Sequence, residues 1–162
     1  FNSMPYLIDG NNFIGFIAQS ELRNPQARYT LIGRLLAFQE IKNTRIYLVF
    51  DGAPDPKITD TVFPENRFSV LYPERGSNAD AVIMDIIQKQ TDRRQFFVVS
   101  SDKEIKDFTR LNGAKKMDCK VFNQLLKASL KEHKKLKANE KHAKFPSPLE
   151  VHNWMDIFKA KK

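Results

Sequence analysis

Four aspartates stand where this sequence could do chemistry: Asp9 in Ile8-Asp9-Gly10-Asn11-Asn12, Asp51 in Phe50-Asp51-Gly52-Ala53-Pro54, Asp80 in Gly76-Ser77-Asn78-Ala79-Asp80, and Asp102 in Val99-Ser100-Ser101-Asp102. Carboxylates held together repel and raise one another's pKa values, which costs stability unless something positive lies among them. A hard divalent cation answers that need. Mg²⁺ or Mn²⁺ takes oxygen ligands, keeps several waters, and can orient and deprotonate a water for in-line attack on a phosphodiester. Zinc chemistry is not indicated, because His133, His142 and His152 all fall in the last part of the chain and no Cys/His spacing of zinc type occurs.

The elements that must position these acids are legible as strands and helices. Tyr6-Leu7-Ile8, Ile46-Tyr47-Leu48-Val49-Phe50 and Phe96-Phe97-Val98-Val99 are short apolar runs rich in β-branched and aromatic residues, as in strands buried on both faces. Helical period follows between them, with Tyr29, Ile32, Leu35, Leu36 and Gln39 on one face and Ala79, Val82, Ile83, Ile86 and Ile87 on another. Strand then helix, repeated, predicts an α/β fold with a mainly parallel central sheet. Ligands in such sheets bind at the carboxyl ends of strands, and Asp9, Asp51 and Asp102 each follow a strand directly, in a turn. Asp80 begins a helix, on or beside its core-facing side, because Ile83, Met84 and Ile87 follow at helical spacing. Asp85 and Asp92 read as surface charges.

Each acid also has an ordinary structural explanation. Asp9-Gly10 and Asp51-Gly52 are common turn pairs, and Asp80 or Asp102 could complement a helix dipole. Asn12 could brace its turn, or hold a metal-bound water or a phosphate oxygen. Repetition at three strand ends favours a site.

Further along, Ser101 with Glu104 is a capping-box pattern for a helix running to about Leu111 and stopping at Asn112-Gly113. A short strand is expected at 115–117, a strand at Phe68-Ser69-Val70-Leu71 between Pro64 and Pro73, and a helix from Val121 to Leu130. From Lys131 to Lys144 the chain is lysine-rich and almost without large apolar groups, as in an exposed helix extension or a linker. Ser147-Pro148-Leu149-Glu150 then opens a last helix, with Val151, Trp154, Met155 and Phe158 along one side.

The formal charge is +8, and from Lys131 onward nine lysines face four acids. Such a balance attracts polyanions, RNA or DNA, through counterion release, and equally suits a solvated surface. The one cysteine, Cys119, reads as a small buried hydrophobe. No stretch has the apolar length of a membrane span, so a cytoplasmic setting is expected. Phe1-Asn2-Ser3 has the look of a cloning remnant and is left out of the fold argument.

Four blocks together resemble the YacP-like NYN domains, a branch of the PIN-like nuclease superfamily. They are Leu7-Ile8-Asp9-Gly10-Asn11-Asn12, Val49-Phe50-Asp51-Gly52, Ser77-Asn78-Ala79-Asp80 and Ser100-Ser101-Asp102, in that family's order, within about residues 4–130. The resemblance implies a three-layer α/β/α sandwich over 4–130; the lysine-rich segment and C-terminal helix over 131–162 lie outside it and are read from composition alone. It implies Mg²⁺- or Mn²⁺-dependent cleavage of RNA, with Asp9, Asp80 and Asp102 as the acidic core, Asp51 as a further acid, Asn12 as the family's DGxN asparagine, and Ser101 as the small polar neighbour of the last acid. On this reading Asp9, Asp80, Asp102 and Asn12 are catalytic, and Asp9, Asp51, Asp80 and Asp102 ligate metal. Asn12, Ser101, Arg75 and Lys103 contact substrate, although Arg75 and Lys103 equally suit solvent-facing charges.

The expected activity is thus a metal-dependent ribonuclease, of endonucleolytic type, with RNA as partner. Exonucleolytic action, presentation of the RNA by a ribosome or other RNA–protein complex, and oligomeric state stay open. Two alternatives share the fold: a non-catalytic RNA-binding adaptor working through the lysine-rich tail, and a flap-type DNA nuclease. A haloacid-dehalogenase nucleophile would need Asp-x-Asp, and the third residue here is Asn11.

Overall fold

The computed structural model describes residues 4–63 and 67–142, with side chains to 140. The expected last helix from Ser147 and the remnant at 1–3 lie outside these residues.

Five strands form one sheet: β1 (Tyr6–Asp9), β2 (Ile46–Val49), β3 (Phe68–Leu71), β4 (Phe97–Val99) and β5 (Lys115–Met117). Their order is β3-β2-β1-β4-β5 and every neighbouring pair is parallel. Among the described residues six helices accompany them: α1 (Gly10–Ile17), α2 (Pro25–Lys42), α3 (Pro56–Thr59), α4 (Ala79–Lys89), α5 (Lys103–Leu111) and α6 (Cys119–His142). A 3-10 turn, Gln19–Arg23, links α1 to α2.

The pleat divides the core in two. Tyr6, Ile8, Ile46, Leu48 and Val99 face α1, α2 and α6, where Phe13, Phe38 and Phe122 fill the space between. Leu7, Val49, Phe96 and Val98 face the other way, onto Ile83 and Ile87 of α4 and Ile105 of α5. This is the three-layer sandwich that the apolar runs and the resemblance led one to expect. Strands covered on both faces cannot alternate in polarity, which is why they read as unbroken apolar runs.

Three elements differ from expectation. No turn follows Asp9: β1 passes straight into α1, an element the sequence reading did not separate. Gly10 makes this junction possible, since a Cβ there would lie 2.6 Å from the Phe50 ring and 2.9 Å from the Val49 carbonyl oxygen. The cap of α5 is Asp102, not Ser101, and its carboxylate accepts from the Ile105 N–H at 3.1 Å. Ser101 is otherwise engaged, as described below.

The helix expected from Val121 to Leu130 is longer, beginning at Cys119 and passing without a break through Lys131 to His142. Its buried His133 meets Glu40 of α2 at 3.0 Å, and Lys137 reaches the same carboxylate at 2.9 Å. The first half of the lysine-rich stretch is therefore a helix extension tied to α2.

Candidate active site

Strand order reverses between β1 and β4, because β2 and β3 lie on one side of β1 while β4 and β5 lie on the other. The crevice at the carboxyl ends of two such strands is where open α/β sheets bind ligands. Asp9 ends β1, and Ser100-Ser101-Asp102 follows β4 on the opposite lip.

Asp9 is 6% exposed. It occupies the N-cap position of α1, yet its side chain makes no capping hydrogen bond. Its partner is instead Ser100, whose buried hydroxyl donates to Oδ2 at 3.0 Å. That bond ties the Asp9 carboxylate to the loop after β4, on the other side of the crevice.

Asn11 and Asn12 bind the two flanking loops to the start of α1. Asn11 Oδ1 accepts from the Asp51 N–H at 2.9 Å, which ties down the loop after β2. Asn12 Oδ1 accepts from the Ser101 N–H at 2.8 Å and from the Cys119 thiol at 3.2 Å. Ser101 Oγ in turn accepts from the Cys119 N–H at 3.2 Å, and Ser100 Oγ accepts from the Asp102 N–H at 3.1 Å. Adjacent residues thus pin adjacent loops, one carrying Asp51 and the other Asp102.

Asp51 is exposed, with Oδ1 accepting from the N–H groups of Gly52 at 3.0 Å and Ala79 at 3.2 Å. The second bond docks the first turn of α4, and Asp80 with it, beside the loop. Gly52 has φ +83°, a conformation L side chains rarely adopt, so the tight reversal after Asp51 calls for glycine there. Asn78 caps α4 through the Ala81 N–H at 2.9 Å, leaving the half-buried Asp80 carboxylate free of capping duty.

The electrostatics show that these acids face one another. Asp9 is pushed up from the usual carboxylate range to about 6, first by burial and then by Asp80 and Asp102, while the Ser100 hydroxyl and the backbone N–H of Asn12 pull it down. Asp80 is also raised, by burial first and then by Asp102, Glu104 and Asp51. Among the described residues, no lysine or arginine is a leading cause of either shift. Glu104, which the sequence reading used only for a capping box, is thus a fifth acid at the rim. Ser100 was missed altogether, since nothing in a Val-Ser-Ser-Asp string says which hydroxyl turns inward.

The expected substrate contacts lie at the edges. Arg75 is exposed on the 73–77 loop, which forms a groove with Asp51 and its loop. Lys103 is exposed and pairs with Asp107 at 2.9 Å. Arg28, not anticipated, lies over the Phe50 ring at 4.9 Å and donates to the Asp51 carbonyl at 3.3 Å.

The donor set suits a hard cation: oxygen ligands, negative charge without a compensating cation, and one carboxyl buried at some cost. Among the described residues, no three His, Cys, Asp or Glu side chains are close enough to hold an ion between them. Mg²⁺ is usually bound by one or two carboxylates with water completing its shell, and that needs no closer cluster.

Known proteins agree with the architecture. The chain is similar to two crystal structures of Rae1 (YacP) from Bacillus subtilis. One, of the W164L mutant, has a TM-score of 0.69 at 20% identity, covering 97% of this chain and 99% of that one. The other has a TM-score of 0.68 at 21% identity, covering 96% and 94%. At such identity the likeness speaks for the fold. Comparison with curated proteins gave no match. The model of the YacP-like NYN domain matches residues 6–157, and the chain belongs to that family.

Proposed function

We propose that this member of a nuclease-like family is a Mg²⁺- or Mn²⁺-dependent ribonuclease that hydrolyses RNA phosphodiester bonds, acting as an endonuclease, at the crevice between β1 and β4. The observation that carries this reading is Asp9: a buried carboxyl at the switch point, raised to about 6 by burial and by the charges of Asp80 and Asp102. A fold does not retain such an arrangement for stability, since it costs free energy at neutral pH.

One or two of Asp9, Asp80, Asp102 and Asp51 would hold the cation directly and the others through its waters; when bound it supplies charge neutralisation and an activated water. Ser100 fixes the Asp9 carboxylate, and Asn12 sets the height of the Ser100–Asp102 loop against it. Asn12 and Ser101 would meet the phosphate at the crevice, and Arg75, from its groove beside Asp51, would meet the RNA backbone. Lys103 is available at the opposite rim once it exchanges Asp107 for phosphate. The test is cleavage of a mixed single-stranded and structured RNA pool with Mn²⁺, Mg²⁺ or EDTA, by the protein and by Asp80→Asn. Metal-dependent cutting that the substitution abolishes is expected. No cutting under either metal, with RNA still bound, would leave an RNA-binding adaptor.

A further inference from the structure

The outer face of α6 carries a row of lysines that the acid cluster does not use. Lys120, Lys127, Lys131 and Lys134 follow at spacings of seven, four and three, with Lys135 alongside, so they share one face of the helix. The opposite face is the buried one, formed by Phe122, Leu126, Ser129 and His133. The row extends roughly 22 Å at 1.5 Å per residue. All five lysines are exposed, and none has an acid partner among the described residues. Several cations elsewhere are paired: Lys89 with Asp85, Arg94 with Asp92, Lys103 with Asp107, and Lys106 with Asp118.

The row is also rigidly mounted and correctly placed. Phe122 is locked among Tyr6, Phe13 and Phe38, and His133 and Lys137 bind Glu40, so α6 cannot roll to disperse its charge. Lys120 directly follows Cys119, whose N–H is held by Ser101 beside Asp102. The row therefore starts at the rim of the acid cluster and leads away from it. Val121 and Leu136 are the only large exposed apolar residues on the described part of α6, too few to seat the helix in a lipid surface.

We propose that this face of α6 is a phosphate-backbone track that holds RNA beyond the point of cleavage. The proposal rests on RNA being the substrate, but its test does not depend on cleavage. Binding of a labelled hairpin RNA is measured across a salt series in an Asp80→Asn background, with and without Lys127→Gln, Lys131→Gln, Lys134→Gln and Lys135→Gln. Loss of four contacts should reduce the slope of log affinity against log salt by about 3, at roughly 0.7–0.9 per phosphate. A control set, Lys57→Gln, Lys89→Gln, Arg94→Gln and Arg110→Gln, removes the same charge elsewhere and should leave the slope within about 1 of the parent. With Asp80 restored, the track variant should lose kcat/KM and keep kcat. An unchanged slope, an equal fall in the control set, no RNA binding by the parent, or a loss confined to phosphatidylserine vesicles would each overturn the track. Absence of cleavage with the slope reduced as expected would overturn only the nuclease reading.

Discussion

Asp9 decides how the site trades stability for function. Its carboxyl titrates near 6 in the folded protein and in the ordinary carboxylate range when unfolded, so the folded state binds the extra proton between those values. Stability from this group is therefore full below about 4 and falls as the pH rises through about 6. Asp9→Asn removes the penalty while keeping an acceptor for Ser100. In metal-free buffer at pH 7–8, urea unfolding should show the variant more stable by up to about 3 kcal/mol, with the difference gone near pH 4. Equal or lower stability at pH 8 would mean that Asp9 is not strained by its neighbours. All four aspartates were visible as residues, because Asp after an apolar run is a local signal. What the sequence could not show is which oxygens are already spent. Asp102 is also the cap of α5, and Asp51 a brace for α4.

At the scale of elements, the start of α1 does the positioning. Asn12→Ala leaves the Ser101 N–H and the Cys119 thiol without their acceptor. It should cost about 1–3 kcal/mol and lower kcat by roughly ten- to a hundredfold, as losses of groups that orient ligands do. Full activity in that variant would remove Asn12 from the site. Gly10→Ala presses a methyl group into Phe50 and the Val49 carbonyl, and should destabilise by about 1–3 kcal/mol in thermal or urea unfolding. The β1–α1 junction was illegible because Asp-Gly-Asn-Asn has the composition of a turn; only the close approach of Phe50 explains why glycine opens a helix there. The extent of α6 was hidden too, since His133 and Lys137 look solvated until Glu40 is set against them. Burial opposes ionisation of Glu40, but Lys137 and His133 outweigh it and hold its pKa below the usual range. The stability this contributes is present at neutral pH and lost as the pH falls through that lowered value. Glu40→Gln should therefore destabilise at pH 7, by under about 1 kcal/mol for so exposed a group, and not at pH 3.

For the whole molecule, the sheet order explains why distant loops form one crevice. Parallel strands, apolar on both faces, and strand–helix alternation were enough to foresee the sandwich. The order β3-β2-β1-β4-β5 was not readable, because register and neighbours depend on crossover packing rather than on any local string. That order places Asp9 at the reversal, with the Asp51 and Asp102 loops to either side and Asp80 brought in by α4. The central claim, that these aspartates form one cation site, is tested most directly by calorimetric titration with Mn²⁺ at pH 6 and pH 7.5, repeated for Asp9→Asn and Asp80→Asn. Saturable binding is predicted, weakened at least about tenfold by either substitution, with proton release at pH 6 that is lost in Asp9→Asn. Binding that neither substitution affects, or none at all, would contradict it.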